Sequence, residues 1–201
     1  MRFLDFKKHF SHFNSISLQD IRNHYGEVNP TQLSLWKKNG YLKPAKRGVY
    51  VLSDASVDPF LLSNELNDSY ISMEAALSRH QMIPEAAGLI TCVSNYRNEE
   101  IENDFGHFRY HKIATKLFCG YTLEQSPIKE KRYFRIAEKE KALFDLVYFR
   151  SDLKNYNDFE SLRLNIDKIN MKRLKSFIRL VEAPQIKNRL NNLVKYLNDI
   201  V

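Results

Sequence analysis

The chain has 201 residues, 43% hydrophobic and 12% aromatic, enough for one or two small packed domains and too little for a large enzyme barrel. Mean hydropathy is −0.48 and no apolar run approaches the ~18 residues that span a bilayer, so membrane and fibrous classes are excluded. The formal charge of +7 is segregated, with nine basic and four acidic side chains in residues 1–57, thirteen and seventeen in 58–162, and nine and three in 163–201. Basic ends around an acidic middle suit a polyanionic partner.

In chain order, the start MRFLDFKKHFSHF carries charges throughout and no small-residue cleavage site. It reads as structure, not as a signal peptide, and a soluble cytoplasmic protein is expected. Phe3, Phe6, Phe10 and Phe13 recur at three and four, one apolar face of a helix. Ser17 is placed as N-cap of a second helix carrying Leu18, Ile21 and Tyr25 and closed by Gly26. Asn29 caps a third, with Pro30 at its first position, running from Thr31 to Asn39 and stopping at Gly40. Tyr41 to Leu52 reads as two short strands around a basic turn, the second strand being Val49 to Leu52.

Three short helices and a hairpin predict a winged helix-turn-helix over residues 1–57. Leu33 and Trp36 face its interior, and Tyr50 and Leu52 share one strand face. Thr31, Gln32, Ser34 and Lys38 are then candidates to read base edges in a major groove. Lys37, Lys43, Lys46 and Arg47 are candidates to hold phosphates, the last three on the wing. Residues 22–51 hold six cations against the single anion Glu27.

Residues 58–201 predict a second, mixed α/β domain. Asp58-Pro59 opens a helix, and Ser72 is placed as the cap of another through His80. Alternation and turn residues from 88 to 136 favour a small mixed or antiparallel sheet, with the acidic stretch Glu99, Glu100, Glu102, Asp104 as a connection or edge. A helix from Ala137 to Tyr148 turns Ala142, Leu146 and Phe149 inward, and residues 158–199 read as helical with breaks near Asn170 and Pro184. The whole predicts an α+β chain with a helical C-terminal part. Cys92 and Cys119 sit in apolar stretches and read as reduced interior residues.

The blocks Arg47-Gly48-Val49-Tyr50, SYISMEAALSRHQMIPEA and RIAEKEKALFDLVYF, spaced as they are, make the sequence resemble the AbiEi antitoxins of bacterial type IV toxin–antitoxin systems. Gln81 stands where that family usually has glycine, and Glu138-Lys139 where it commonly has Thr-Pro. The resemblance implies a repressor that binds inverted repeats in the double-stranded promoter DNA of its own operon, and it leaves open cooperative binding of several copies. It also implies that the second domain counters a nucleotidyltransferase-like toxin without forming a stable complex. A basic C-terminal surface assisting DNA binding is implied too, for which Lys172, Arg173, Lys175, Arg179, Lys187 and Arg189 are the matching candidates.

No catalytic constellation is visible, and neither cofactor nor metal is expected. His107 and His111 alternate on a strand roughly 13 Å apart, too far to share zinc. Glu138 and Glu140 point in different directions on a helix. Asp152-Leu153-Lys154 has the spacing of a last nuclease element but lacks the preceding Pro-Asp. The competing reading is a protein-interaction module that neutralises an acidic partner or toxin by direct binding. A nuclease or transferase using Asp152 or Glu140 is the third.

Overall fold

The computed structural model of the chain describes residues 2–84, 88–166 and 169–200. Where the phenylalanines recur, α1 (Phe3–Phe10) forms and buries Phe6 and Phe10. After five intervening residues comes β1 (Ile16–Ser17), a strand too short to leave a period in the sequence. Ser17 then starts α2 (Leu18–Tyr25) through a capping box: its hydroxyl accepts from the Asp20 amide and the Asp20 carboxylate accepts from the Ser17 amide. Asn29 likewise accepts from the Gln32 amide at the start of α3 (Pro30–Lys38). The chain continues as the antiparallel pair β2 (Leu42–Lys46) and β3 (Val49–Leu52), and β1 joins the free edge of β3 in the order β1-β3-β2.

The hairpin has two buried faces. Tyr50 and Leu52 of β3, with Leu42, join Phe6, Phe10, Ile21, Leu33 and Trp36 in a first core. Val49 and Val51 point the other way and pack, with Ala45, into a second core built by the rest of the chain. Val49-Tyr50-Val51-Leu52 carries no polar residue for this reason, as a strand covered on both sides requires.

The second core begins with α4 (Pro59–Leu66), capped by the Asp58 carboxylate. It then surrounds a six-stranded mixed sheet of order β6-β7-β5-β4-β9-β8. The strands are β4 (Ser69–Ile71), β5 (Leu89–Ser94), β6 (Glu99–Asn103), β7 (Gly106–Lys112), β8 (Tyr121–Gln125) and β9 (Tyr133–Ala137). The acidic stretch is therefore an edge strand. The central β4 escapes a search for alternation because all three of its residues are buried. Around the sheet lie α5 (Met73–Arg79), α6 (Lys139–Phe149), α7 (Tyr156–Glu160), α8 (Met171–Arg179) and α9 (Pro184–Asp199). The chain is thus an α+β protein, and none of its described helices is long and apolar enough to cross a membrane. Ala137 closes β9 instead of opening α6, and the Glu85-Ala86 end of the second sequence block lies outside the described residues.

α5 and α6 meet over a polar knot. Lys141 and Asp145 are both fully buried, 2.5 Å apart, one turn apart on α6. The Asp145 carboxylate also accepts from Ser72 Oγ at 2.7 Å and Tyr70 Oη at 3.0 Å. Ser72 thus sits at the N-cap position of α5 but spends its hydroxyl on Asp145, and no side-chain cap forms. The Lys141 ammonium lies 4.6 Å from the Phe144 ring centroid and 5.7 Å from those of Tyr70 and Phe177. His80 Nε2 adds a 2.7 Å bond to the Ala137 carbonyl.

A polar seam joins the two cores near α1. Asn14 bonds both the amide and the carbonyl of Asp58, and its amide group also donates to Glu65, as does Ser15 Oγ. Across it Lys129 Nζ donates to the Phe13 carbonyl, and the Arg132 guanidinium lies 5.3 Å from the Phe13 ring. Burial pushes the Glu65 carboxyl above the ordinary carboxylate range, and the bonds from Ser15 and Asn14 offset only part of that.

Replacing Lys141 by Met leaves the Asp145 carboxylate unpaired in the interior and should cost about 3–5 kcal/mol in chemical denaturation. Lys141→Met combined with Asp145→Leu should be less destabilised than Lys141→Met alone. Equal losses in the two would show that the charge pairing is not what holds this site. For Glu65, the raised folded value means that its contribution is fully present below the ordinary carboxylate pKa. It is lost as pH rises through the folded value. Glu65→Gln, which keeps an acceptor without the charge, should gain stability relative to the parent between pH 4 and pH 7. A relative loss over that interval would contradict the assignment.

Candidate nucleic-acid interface

α3 is oriented by its apolar side. Trp36 lies edge-on to Phe3 at 5.2 Å and tilted against Phe6 at 4.9 Å, and Leu33 is buried beside them. With 100° per residue, that seating turns Thr31, Ser34, Leu35 and Lys38 outward together. All four are exposed, as is Lys37 at the border, whereas Gln32 is half-buried. Leu35, 52% exposed, belongs to this face although it carries no polar group. Sequence reading passed over it, because an isolated leucine beside Trp36 resembles part of an apolar stripe. The Lys37 ammonium stands 5.9 Å from the Tyr50 ring centroid, which sets that border of α3 beside the hairpin.

The hairpin cations divide. Arg47, in the turn before Gly48, is exposed. Lys46 is not available as the sequence led us to expect. Its ammonium donates to the Leu66 carbonyl at 3.2 Å, to Asn67 Oδ1 at 2.8 Å and to Glu99 Oε2 at 2.8 Å, and its side chain is only 21% exposed. Lys43 is ion-paired with Asp104 at 3.1 Å, and Asn103 Nδ2 donates to the Ala45 carbonyl at 2.8 Å. The physical reason is the second buried face: a hairpin packed on both sides lays β2 along the acidic edge strand β6. Burial alone would push the Glu99 carboxyl up, but hydrogen bonds from Lys46, Asn67 and Arg97 hold it below its ordinary value, so it stays ionised. In the structure Lys46 forms a staple between the cores, and Lys43 forms an ion pair at the surface.

The C-terminal set divides in the same way. Leu174, Phe177 and Ile178 bury one side of α8, and Lys172, Lys175 and Arg179 are exposed on the other. Arg173 forks onto Glu138 at 2.7 and 2.8 Å with its guanidinium 4.8 Å from the Phe177 ring. Arg189 is half-buried and donates to the Val147 and Tyr148 carbonyls, both at 2.7 Å, satisfying the last turn of α6. Within this fold its guanidinium is engaged in capping α6. Lys187 is half-buried.

The groups weighed for catalysis are engaged elsewhere. Asp152 accepts a fork from Arg150, which holds its carboxyl down to about 2. Glu140 is buried and accepts the Asn170 amide at 2.7 Å, while Glu138 belongs to Arg173. On β7, His107 pairs with Glu100, and burial lowers His111, whose ring lies 4.9 Å from that of Phe149. Cys92 is buried, its thiol pushed up to about 12, and neither cysteine is bonded to the other. Among the described residues no three His, Cys, Asp or Glu side chains gather as a metal site.

No family model matches the sequence, and no curated protein matches it. Among solved structures the chain is similar to the crystal structure of the RV2827C protein from Mycobacterium tuberculosis, with a TM-score of 0.57. The two share 11% identity over 94% of this chain and 75% of that one, a likeness that extends to the fold alone.

Proposed function

We propose that the chain is a sequence-specific DNA-binding repressor of its own operon, its first three helices and hairpin acting as a winged helix-turn-helix. The observation that carries this reading is the outward face of α3, where Thr31, Ser34 and Lys38 stand together and exposed, flanked by Lys37, which lies over Tyr50 of the hairpin. Short hydroxyls and a cation on one helix face are the groups that reach base edges and flanking phosphates in a major groove. Leu35 on the same face supplies an apolar contact suited to a thymine methyl. The second part of the reading, antitoxin activity against a nucleotidyltransferase-like toxin without a stable complex, rests on the resemblance of the three sequence blocks to the AbiEi antitoxins.

Of the candidate cations, Lys37, Lys38, Arg47, Lys172, Lys175 and Arg179 are exposed and have no ion pair among the described residues. For a duplex from immediately upstream of the gene, fluorescence anisotropy should show selective binding over a scrambled duplex at about 150 mM salt. If all six contacts form, affinity should fall roughly a thousandfold between 50 and 200 mM. Arg47→Ala should flatten the salt slope by about one unit for every sequence, whereas Lys46→Ala should leave the slope nearly unchanged and lower stability. Binding equal for both duplexes and gone by 150 mM would instead assign the basic ends to another polyanion, and the protein-interaction reading would replace this one.

Thr31→Ala or Ser34→Ala should relax discrimination between the two duplexes by about 1–3 kcal/mol with little change in salt slope. Unchanged discrimination in both would remove α3 from the role of base reader.

A further inference from the structure

The β5–β6 turn, residues 95–98, presents two large side chains mostly to solvent. Tyr96 is 68% exposed, and the Arg97 guanidinium lies 5.4 Å from its ring centroid with the Arg97 side chain 55% exposed. The turn beneath them is built. The Tyr96 amide donates to Ser94 Oγ, which in turn donates to the Asp68 carbonyl, and Asn98 Oδ1 accepts the Lys112 amide. A large aromatic held outward on an ordered turn, with a guanidinium over its face, has the form of a contact surface.

Its charge says which partner. Arg97 Nη2 donates to Glu99 Oε1 at 2.8 Å, and Lys46 Nζ donates to the other oxygen of the same carboxylate at 2.8 Å. One anion thus sits between a cation from the hairpin and a cation from the second sheet, with Arg47 exposed at the next position of the hairpin turn. Lys46 and Arg97 thus share the single carboxylate of Glu99, which leaves this pair of cations with one positive charge in excess. Lys46 is too covered to accept an outside ligand, so the surplus is presented by Arg47 and Arg97. A phosphodiester backbone supplies anions in a row with sugar faces between them, which suits a guanidinium next to an exposed ring.

We infer that Tyr96 and Arg97 form a further backbone-binding element for duplex DNA, continuing the hairpin turn from the second sheet and held beside it through Glu99. The inference rests on the DNA-binding reading and adds to it a contact that lies outside the first three helices and hairpin.

The test uses the full chain and the upstream duplex in anisotropy titrations from 50 to 300 mM salt, comparing Arg97→Ala, Tyr96→Ala, Arg47→Ala and, as a control, Lys131→Ala at an exposed cation of the β8–β9 turn. Arg97→Ala should flatten the salt slope by about one unit and weaken every sequence alike, as Arg47→Ala does. Tyr96→Ala should weaken binding several-fold without moving the slope, which separates a ring contact from a charge contact. Lys131→Ala should match the parent. If Arg97→Ala and Tyr96→Ala both bind as the parent does while Arg47→Ala is weakened, this element is overturned and the DNA reading stands. If the parent itself binds neither duplex, both fall together.

Discussion

The two-sided burial of the β2–β3 hairpin is the constraint on which the rest of the molecule depends. In a winged module standing alone, one face of the hairpin covers the helices and the other meets solvent. Here Tyr50 and Leu52 close the core of α1–α3, and Val49, Val51 and Ala45 close the core of the larger sheet. Because successive side chains on a strand alternate faces, the same four residues serve both cores without a kink. The hairpin is therefore a shared layer, and anything attached to its edges takes its position from both sides. That is why β2 runs beside β6, why Lys46 and Lys43 find carboxylates there, and why the β5–β6 turn stands next to the hairpin turn.

The buried knot at α6 has a comparable role within the second core. A lysine and an aspartate without solvent access are costly to desolvate, and they persist where every lone pair and proton finds a partner. Asp145 meets this condition through Lys141, Ser72 and Tyr70, which come from β4, the start of α5 and α6. Burial drives its carboxyl upward, and the three donors draw it back. The knot thus fixes the register between β4, α5 and α6 by chemistry that apolar packing alone does not specify. It also accounts for the two charges, Lys141 and Asp145, that the third sequence block carries in the interior.

Much of this was legible beforehand, and the exceptions have physical causes. The caps at Ser17, Asn29 and Asp58 and the breaks at Gly26 and Gly40 stand where their chemistry places them, since a cap is a local event. The outward face of α3 followed from the 100° rotation per residue once Leu33 and Trp36 were turned inward. What escaped is non-local. A two-residue β1 and a fully buried β4 leave no period to detect, and the side chain of Ser72 could serve the helix end or Asp145 with equal local plausibility. For the cations the sequence reports charge but not neighbours. Lys46, Arg173 and Arg189 looked like Arg47, Lys172 and Lys175 until Glu99, Glu138 and the end of α6 were placed against them. One signal was present: Val49-Tyr50-Val51-Leu52 is apolar at every position, which a hairpin with one wet face would not be.

The division of the cations bears on what kind of binder this surface makes. Each phosphate contact adds affinity for any sequence, so on the proposed reading the commitment of Lys43 and Lys46 to carboxylates of this chain would lower sequence-independent binding. On that reading the base-reading term is unaffected, because it would depend on Thr31, Ser34 and Lys38, which the hairpin leaves exposed. Against a genome of competing sites the ratio of the two terms matters more than either alone. Acidic residues placed beside the hairpin therefore need not oppose DNA recognition. On the proposed reading Glu99 and Asp104 would reduce non-specific attraction, and the bonds of Lys46 with Glu99 and of Asn103 with Ala45 tie the hairpin to that strand, so that α3 and the basic turn would meet a duplex in one fixed relation. Rigidity of this kind spares the ordering cost that a mobile wing would incur on binding.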